Sequence, residues 1–368
     1  MLRNKGWGIA LALQGLSLSC FGANTELESM LARVMAYNIA PATGFVSAVQ
    51  VPTGQLYDPL VMHVHGEEVW LNDDGKEAGD KGSRLLAVTP VGKVSVLVDA
   101  NRMLPISAGF DIAPNGFGEF AGQIFALSQP RISDQGGKEN YVIQRIDPAH
   151  DYSVSVFCTL PGTVNKKVGG IGVDAAFGPA GSPFAGKLFA STTLNETIYQ
   201  ITPDGKCVPF VTLDPQRHGG PLYLRFALDG QSLLITVVRG GIFAATGGAV
   251  LRVVPDGTVQ DKPLVESPTI LGSLDFAPPG FGRFAGELFV TEVGYYEIPV
   301  PLGQALRADG KVHRVTAEGK LALVASAFIN PWCLRFVGNR LWVGDINGDF
   351  IYGKRELPDG FIVTITSP

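Results

Sequence analysis

The sequence predicts an all-β fold, a six-bladed β-propeller of four-stranded blades with a short N-terminal helical leader. Three observations predict it. First, a block made of a short apolar strand, a Pro/Gly-rich turn and a second apolar strand occurs three times, at Phe110–Leu127 (FDIAPNGFGEFAGQIFAL), Val173–Ser191 (VDAAFGPAGSPFAGKLFAS) and Leu274–Thr291 (LDFAPPGFGRFAGELFVT). Self-similarity at this spacing marks units that cannot bury their own faces and use their neighbours instead. Second, six segments beginning at Leu85, Ile143, Ile198, Leu251, Val312 and Tyr352 alternate apolar with polar residues and run into turn-forming residues, which is a hairpin signal. Third, the 368 residues are 46% hydrophobic and 17% charged, with 46 glycines and 25 prolines, the composition of a turn-rich chain with a large core.

Taken in order, the chain opens with Arg3 and Lys5, an apolar run from Trp7 to Leu18, and small residues at Ser17, Ser19 and Gly22. This is the layout of a secretory signal peptide over residues 1–22, so the protein is expected to be exported, periplasmic or secreted. The apolar run is too short to span a bilayer, and no membrane span is expected after cleavage. Ser17 stands three places before Cys20, where a lipidated cysteine usually has a leucine, so lipidation is not expected. The mature chain keeps Cys158, Cys207 and Cys333, an odd number that does not make a disulfide framework. Cys158 and Cys207 fall on outer strands of adjacent repeats and can be bridged, but buried free thiols are the expectation. Residues 23–57 read as a leader, with an amphipathic helix over Glu26–Asn38 and a strand over Gly44–Val51. The propeller is assigned to 58–368.

Each repeat reads as strands a to d, innermost first. Strands a and b are joined by the long Pro/Gly turn in three repeats and by His65–Glu68, Leu228–Gln231 and Val337–Arg340 in the others. The fourth strands are VSVLVDA, VSVFCTL, CVPFVTL, QDKPLVE, LALVAS and FIVTITS. On this reading the last copy, Asn330–Ser367, holds all four of its own strands; Gly44–Val51 can supply one but closure does not require it.

The segment Asn330–Asp345, NPWCLRFVGNRLWVGD, resembles the repeat pattern of NHL-type propellers and is similar to the wider six-bladed group that includes the SMP-30/gluconolactonase and strictosidine-synthase-like proteins. The resemblance covers most of residues 58–367. It implies a Ca²⁺ ion at the axis, held through a Glu at the start of the first inner strand and Asn and Asp residues from other blades. In this chain the matching positions are Tyr57-Asp58-Pro59 and Asn330-Pro331, so that Asp58 and Asn330 would stand in.

Net charge is -5, from 29 basic and 34 acidic residues. No Lys/Arg run stands out, which sets nucleic acid aside. No nucleophile elbow, phosphate loop or dinucleotide fingerprint is present. The a-to-b and c-to-d turns repeat closely, so their face reads as scaffold; the b-to-c and d-to-a loops vary, so the site is expected on that second face, at the mouth of the central channel.

Aligning the innermost strands puts His63, Asp111, Asp174, Arg225, Asp275 and Arg335 at one position. A ring of inter-blade salt bridges is one reading, since buried charges are normally paired; a polar wall contacting a ligand, with His63 titrating near neutral pH, is the other. The second strands end in Asp73, Ser128, Thr192, Val238, Glu292 and Asp345, and the carboxylates among them suit Ca²⁺. Tyr223, Tyr295, Tyr296 and Trp332 near the same mouth suit a flat or sugar-like ligand.

The resulting expectation is a monomeric, exported, metal-dependent hydrolase of a small lactone or ester. Its catalytic residues would be His63, Glu292 and Asp345, its divalent cation (Ca²⁺) would sit on Asp58, Asn330, Asp345 and Glu292, and its substrate would touch Asp73, His218, Arg239, Tyr295 and Trp332. The alternatives are a non-catalytic propeller that binds a protein or carbohydrate partner, and a lyase with a metal on His63, His65 and His218. The discriminating feature is the ring: an enzyme needs part of it unpaired, whereas a scaffold matches every Arg to an Asp.

Overall fold

In the computed structural model, which describes residues 39–74, 83–104, 107–128, 140–161, 172–241, 245–294, 309–346, 358 and 360–367, the alternating segments form six antiparallel sheets. Blade 1 is built from Pro59–His65, Glu68–Asp73, Arg84–Val88 and Val94–Val98, and blade 2 from Ser107–Ile112, Ile124–Ser128, Val142–Asp147 and Ser153–Thr159. Blade 3 uses Gly172–Phe177, Leu188–Thr192, Thr197–Ile201 and Cys207–Thr212, and blade 4 Gly220–Phe226, Leu233–Arg239, Gly247–Val253 and Val265–Ser267. Blade 5 comprises Leu271–Phe276, Leu288–Glu292, Gly310–Val315 and Leu321–Phe328, with Ala40–Pro41 added at its outer edge. The expected signal segment and leader helix fall within residues 1–38, which lie outside the described residues.

Blade 6 departs from the sequence reading. Its strands are Pro331–Val337, Arg340–Asp345 and Gly360–Thr366, and its outermost strand is Val46–Leu56 from the other end of the chain. The segment FIVTIT is therefore a third strand and not a fourth, and the two ends of the chain lock the ring. The physical reason is burial: Val51 and Leu56 are fully buried and pack with Ile362, Trp342, Val69 and Leu86 between blades 6 and 1. The fourth strand of blade 4 is also shorter than QDKPLVE suggests. Pro263 cannot donate to a ladder, and regular pairing begins only at Val265, two residues beyond it.

The verbatim Pro/Gly turns have a packing explanation. Phe117 sits edge-on to Phe125 of its own blade and to Phe177 of the next, at 5.2 and 4.7 Å. Phe281 does the same with Phe289 and Phe336, at 5.5 and 4.8 Å, and Phe184 lies between Phe189 and Phe226. These are favoured aromatic geometries, so each long turn carries a ring that wedges consecutive blades together.

Cys158 and Cys207 are joined as a disulfide between the outermost strands of blades 2 and 3, and Cys333 is free and buried. This corrects the expectation of free thiols. The reason is that successive blades bring their outer edges side by side, a proximity that sequence spacing does not express. Among the described residues no helix is long and apolar enough to cross a membrane.

Because Val46–Leu56 completes the last sheet, Leu56→Ala should destabilise the whole propeller by about 2–5 kcal/mol, the range for a fully buried leucine. Urea unfolding followed by far-UV circular dichroism tests this; a cost under about 0.5 kcal/mol, the surface range, would mean that the strand is an appendage.

Candidate functional site

Each innermost strand is straightened into its hairpin only after a register shift near its start, between Pro59 and Val61, Ser107 and Phe110, Gly172 and Asp174, Pro221 and Leu224, Leu271 and Leu274, and Pro331 and Cys333. A bulge of this kind re-aims the side chains beyond it. In every blade the ring residue lies at or just past the shift. The backbones approach closely there: a Cβ on Gly109 would lie 2.1 Å from Cα of Asp174, so blade 2 needs a glycine at that point.

The ring is a closed circuit in which each blade holds the next. His63 Nε2 is 2.6 Å from Asp111 Oδ1. Asp111 Oδ2 accepts the Phe177 N–H at 2.7 Å, and Asp174 Oδ2 accepts the Leu224 N–H at 2.9 Å. Arg225 Nη2 pairs with Asp275 Oδ1 at 2.6 Å, Asp275 Oδ2 accepts the Phe336 N–H at 2.9 Å, and Arg335 Nε donates to the Met62 carbonyl at 2.9 Å. Blades 1 to 6 are thus linked in sequence and back to blade 1. Asp275 is the most heavily used member, because Arg335 Nη1 also lies 4.0 Å from it.

The ring members differ in charge state. Burial alone would raise Asp111, but the His63 charge and hydrogen bond, with the Phe177 and Ile112 N–H groups, outweigh it and hold the carboxyl below its usual range. His63 Nδ1 faces the Val64 carbonyl at 2.9 Å while Nε2 faces Asp111. Both ring nitrogens are thereby engaged by oxygen atoms. Asp174 receives only N–H groups, from Leu224 and Ala175, and among the described residues no cationic side chain is within ion-pair distance. Burial pushes its carboxyl up to about 7. Asp174 is therefore the ring group whose proton is exchangeable at neutral pH.

A cavity of about 240 Å³ opens against this ring. Its floor holds His63, Asp111, Asp174, Arg225 and Arg335, and its rim is apolar, with Phe177, Phe226, Phe276, Pro179 and Leu228. The ring residues sit in the later part of each innermost strand, so the cavity opens on the face of the a-to-b turns. This is opposite to the face that loop variability favoured. On the other side of the ring, among the described residues, Tyr223 and Trp332 pack edge to face at 6.3 Å, and the Tyr223 hydroxyl reaches from blade 4 across to the Leu60 carbonyl of blade 1 at 2.9 Å.

The carboxylates expected at that other mouth are dispersed. Asp73 accepts the Tyr57 N–H at 2.9 Å and pairs with Arg84. Asp345 accepts the Ile329 and Asn330 N–H groups at 2.9 and 3.0 Å, and Asp58 and Asn330 give their carbonyls to the Asp74 and Ile346 N–H groups. Each set clamps the chain as it turns into strand a of its own blade. Glu292 accepts from Thr269 and Ser267 at 2.6 and 3.1 Å, and lies 2.5 Å from His313 Nε2. Burial would raise Glu292, but the His313 and Thr269 hydrogen bonds pull it down to about 2. Among the described residues no three or more His, Cys, Asp or Glu side chains gather as metal ligands. Glu292 and Asp345, two of the four residues expected to hold one Ca²⁺, are each already bound to protein donors in separate blades.

The other residues singled out in the sequence are scattered. His65 stacks on Trp70 with ring centroids 3.9 Å apart, and His218 lies in a loop of the opposite face, its ring nitrogen taking the Asp214 N–H. His63, His65 and His218 do not converge. Arg239 pairs with Glu266 at 2.7 Å near His218, whose basicity is lowered by burial and by Arg217. Trp332 is buried beside Tyr223. Tyr295 and Tyr296 lie outside the described residues. Sequence reasoning placed Asp174 in the ring without giving it a role; the signal present was that its neighbours in ring order, Asp111 and Arg225, both have nearer partners on their other sides.

Solved structures sharing the fold include a protein described as an oxidoreductase (glucose dehydrogenase) from Thermus thermophilus, 16% identical over 88% of this chain and 100% of that one, with a TM-score of 0.57. The soluble aldose sugar dehydrogenase of Escherichia coli is 10% identical over 88% and 100%, with a TM-score of 0.58. A gluconolactonase-family protein is 12% identical over 89% and 94%, with a TM-score of 0.53. At these identities the likeness is one of fold. No protein-family model matches the chain, and no curated protein matches its sequence.

Asp275→Ala strands two arginines and the Phe336 N–H, so it should cost about 3–5 kcal/mol in denaturant unfolding, as expected when one partner of a buried ion pair is removed; a surface-like cost would mean that the circuit does not hold the blades. Glu292 has a depressed folded pKa, so its contribution should be complete above the unfolded carboxylate range near 4.5 and should disappear as pH falls towards about 2. The stability gap between the native protein and Glu292→Gln, measured by urea unfolding across that window, should close on acidification; a gap that stays constant refutes the assignment.

Proposed function

We propose that the protein is a small-molecule hydrolase whose site is the ring cavity, acting on a small lactone or ester. The observation that carries the reading is Asp174, a carboxyl with no cationic partner, standing beside Arg225 in a cavity with a polar floor and an apolar rim. A group that titrates near the working pH is the effective general acid or base. The Arg225 side chain is 39% exposed although Nη2 is paired, so it keeps N–H groups for the oxygen of a bound carbonyl.

In this reading ionised Asp174 accepts a proton from the attacking water as its oxygen bonds to the acyl carbon. Arg225 stabilises the oxyanion, and the C–O bond then breaks as the proton passes from Asp174 to the departing alkoxide. The products are an acid and an alcohol. No step is routed through a metal ion. His63 is held by Asp111 and takes no part in this proton transfer.

Export is part of the proposal. The charged, apolar and small-residue order of residues 1–22 supports it, and so does the Cys158–Cys207 disulfide, since such bonds persist in oxidising compartments. The competing reading, a propeller that binds without turnover, draws support from the closed circuit, in which both arginines are matched.

The purified mature chain should hydrolyse members of a panel of small lactones and esters, lactones being tried first because a gluconolactonase-family protein shares the fold. Asp174→Asn should lower kcat by about 10²-fold or more while the far-UV circular dichroism spectrum stays native. Equal rates in the two proteins would remove Asp174 from catalysis, and binding without turnover in the native protein would favour the second reading. Because the strand-end carboxylates are held by protein donors, EDTA should shift the melting temperature by less than about 1 °C; a larger drop reversed by Ca²⁺ would assign them to a metal.

A further inference from the structure

We propose that the ring cavity takes up a small monocarboxylate together with one proton, which Asp174 carries. The inference deepens the hydrolase reading, because the acid released from an ester or lactone is such a carboxylate, and it rests on the same site.

Charge balance points this way. Two guanidinium groups, Arg225 and Arg335, face the cavity floor and share one carboxylate, Asp275, while His63 and Asp111 are bound to each other. One positive charge is left over when Asp174 holds its proton, and none when it does not. These five are the titratable and charged groups that face Asp174 from the strands packed around it; the rest of the lining is Phe, Leu, Ala and Pro. A monoanion therefore fits the cavity's charge only in the protonated state of Asp174.

Geometry agrees with charge. Arg225 uses Nη2 for Asp275, and among the described residues its Nη1 and Nε have no partner. A guanidinium edge left open in this way matches a carboxylate. The protonated Asp174 side chain, already fixed by two backbone N–H groups, adds an O–H donor that an ionised carboxyl lacks. The apolar rim, with Leu228 69% exposed at its lip, suits a short hydrocarbon body behind the charged head. The ligand class is accordingly a short aliphatic carboxylate and neither a sugar nor a dianion.

Linkage makes the pairing measurable. If the anion binds only with the proton, affinity is constant below the Asp174 titration, near 7, and weakens by up to about tenfold per pH unit above it. Reciprocally, the bound anion raises the proton affinity of Asp174.

The test is isothermal titration calorimetry of butyrate into the intact mature protein at about pH 6 and about pH 8, on either side of that titration, in two buffers of different ionisation enthalpy. The expected result is a Kd at least about fivefold weaker at the higher pH, with close to one proton absorbed per butyrate there. Asp174→Asn should bind butyrate with the same Kd at both pH values and without proton uptake. Arg225→Lys should weaken binding by about tenfold or more while leaving the fold intact by circular dichroism. The proposal is overturned by a pH-independent Kd in the native protein, by a pH dependence that survives in Asp174→Asn, by butyramide binding as tightly as butyrate, or by no butyrate binding at all. Butyrate is a non-reacting probe, so its binding is judged apart from turnover. Proton-linked binding with no hydrolysis of any substrate would sink the hydrolase reading alone, and turnover with pH-independent binding would sink the present proposal alone.

Discussion

The structure depends on how six innermost strands are held around one axis. Their backbones come close enough that a Cβ on Gly109 would overlap Asp174, and the side chains that meet there carry charge. Charges in such a place persist only if compensated. The compensation here is also the means of closure, because every ring residue spends its contact on the next blade: His63 on Asp111, Asp111 on Phe177, Asp174 on Leu224, Arg225 on Asp275, Asp275 on Phe336 and Arg335 on Met62. Outer layers repeat the same task by other means, with phenylalanine wedges between blades, a disulfide joining blades 2 and 3, and an N-terminal strand joining blades 6 and 1.

The axis is asymmetric, and the asymmetry turns a channel into a pocket. Towards the face of the variable loops, among the described residues, it holds Tyr223 and Trp332, with the Tyr223 hydroxyl bridging opposite blades. Towards the face of the hairpin turns it is open to the ring. The strand-end acids Asp73 and Asp345 hold the turns into their own first strands, so they frame that end, while the ring acids Asp111, Asp174 and Asp275 lie towards the other.

Much of this was legible in the chain. The repeated turns, the alternating third strands and the aligned charges of the ring depend on local periodicity, which a sequence carries directly. The inter-blade order of the ring could also be read, since charged residues at equivalent positions of successive repeats must meet. Three things could not. Whether Val46–Leu56 or a C-terminal segment closed blade 6 depended on which strand buried more surface against Trp342 and Ile362, a comparison between distant parts of the chain. The Cys158–Cys207 bond depended on the lateral spacing of two blade edges. The place of the ring cavity depended on the size of Tyr223 and Trp332 on its far side, and the close repetition of the hairpin turns reflects the packing of Phe117, Phe184 and Phe281.

Asp174 is where closure and chemistry compete. Five ring members reach the next blade as one of a charged pair or as a full cation, and their charges are thereby committed. Asp174 holds blade 4 through a single backbone N–H, an interaction that does not require ionisation, so the blade stays held whether or not the proton is present. That independence frees the proton. A carboxyl paired with arginine would be locked as an anion, and one buried without N–H donors would stay neutral well above physiological pH. Two backbone donors and the more distant Arg335 charge offset burial only in part and leave Asp174 between these limits, close to neutrality. A ring built wholly of matched pairs would close as firmly and would have no group able to exchange a proton with a ligand.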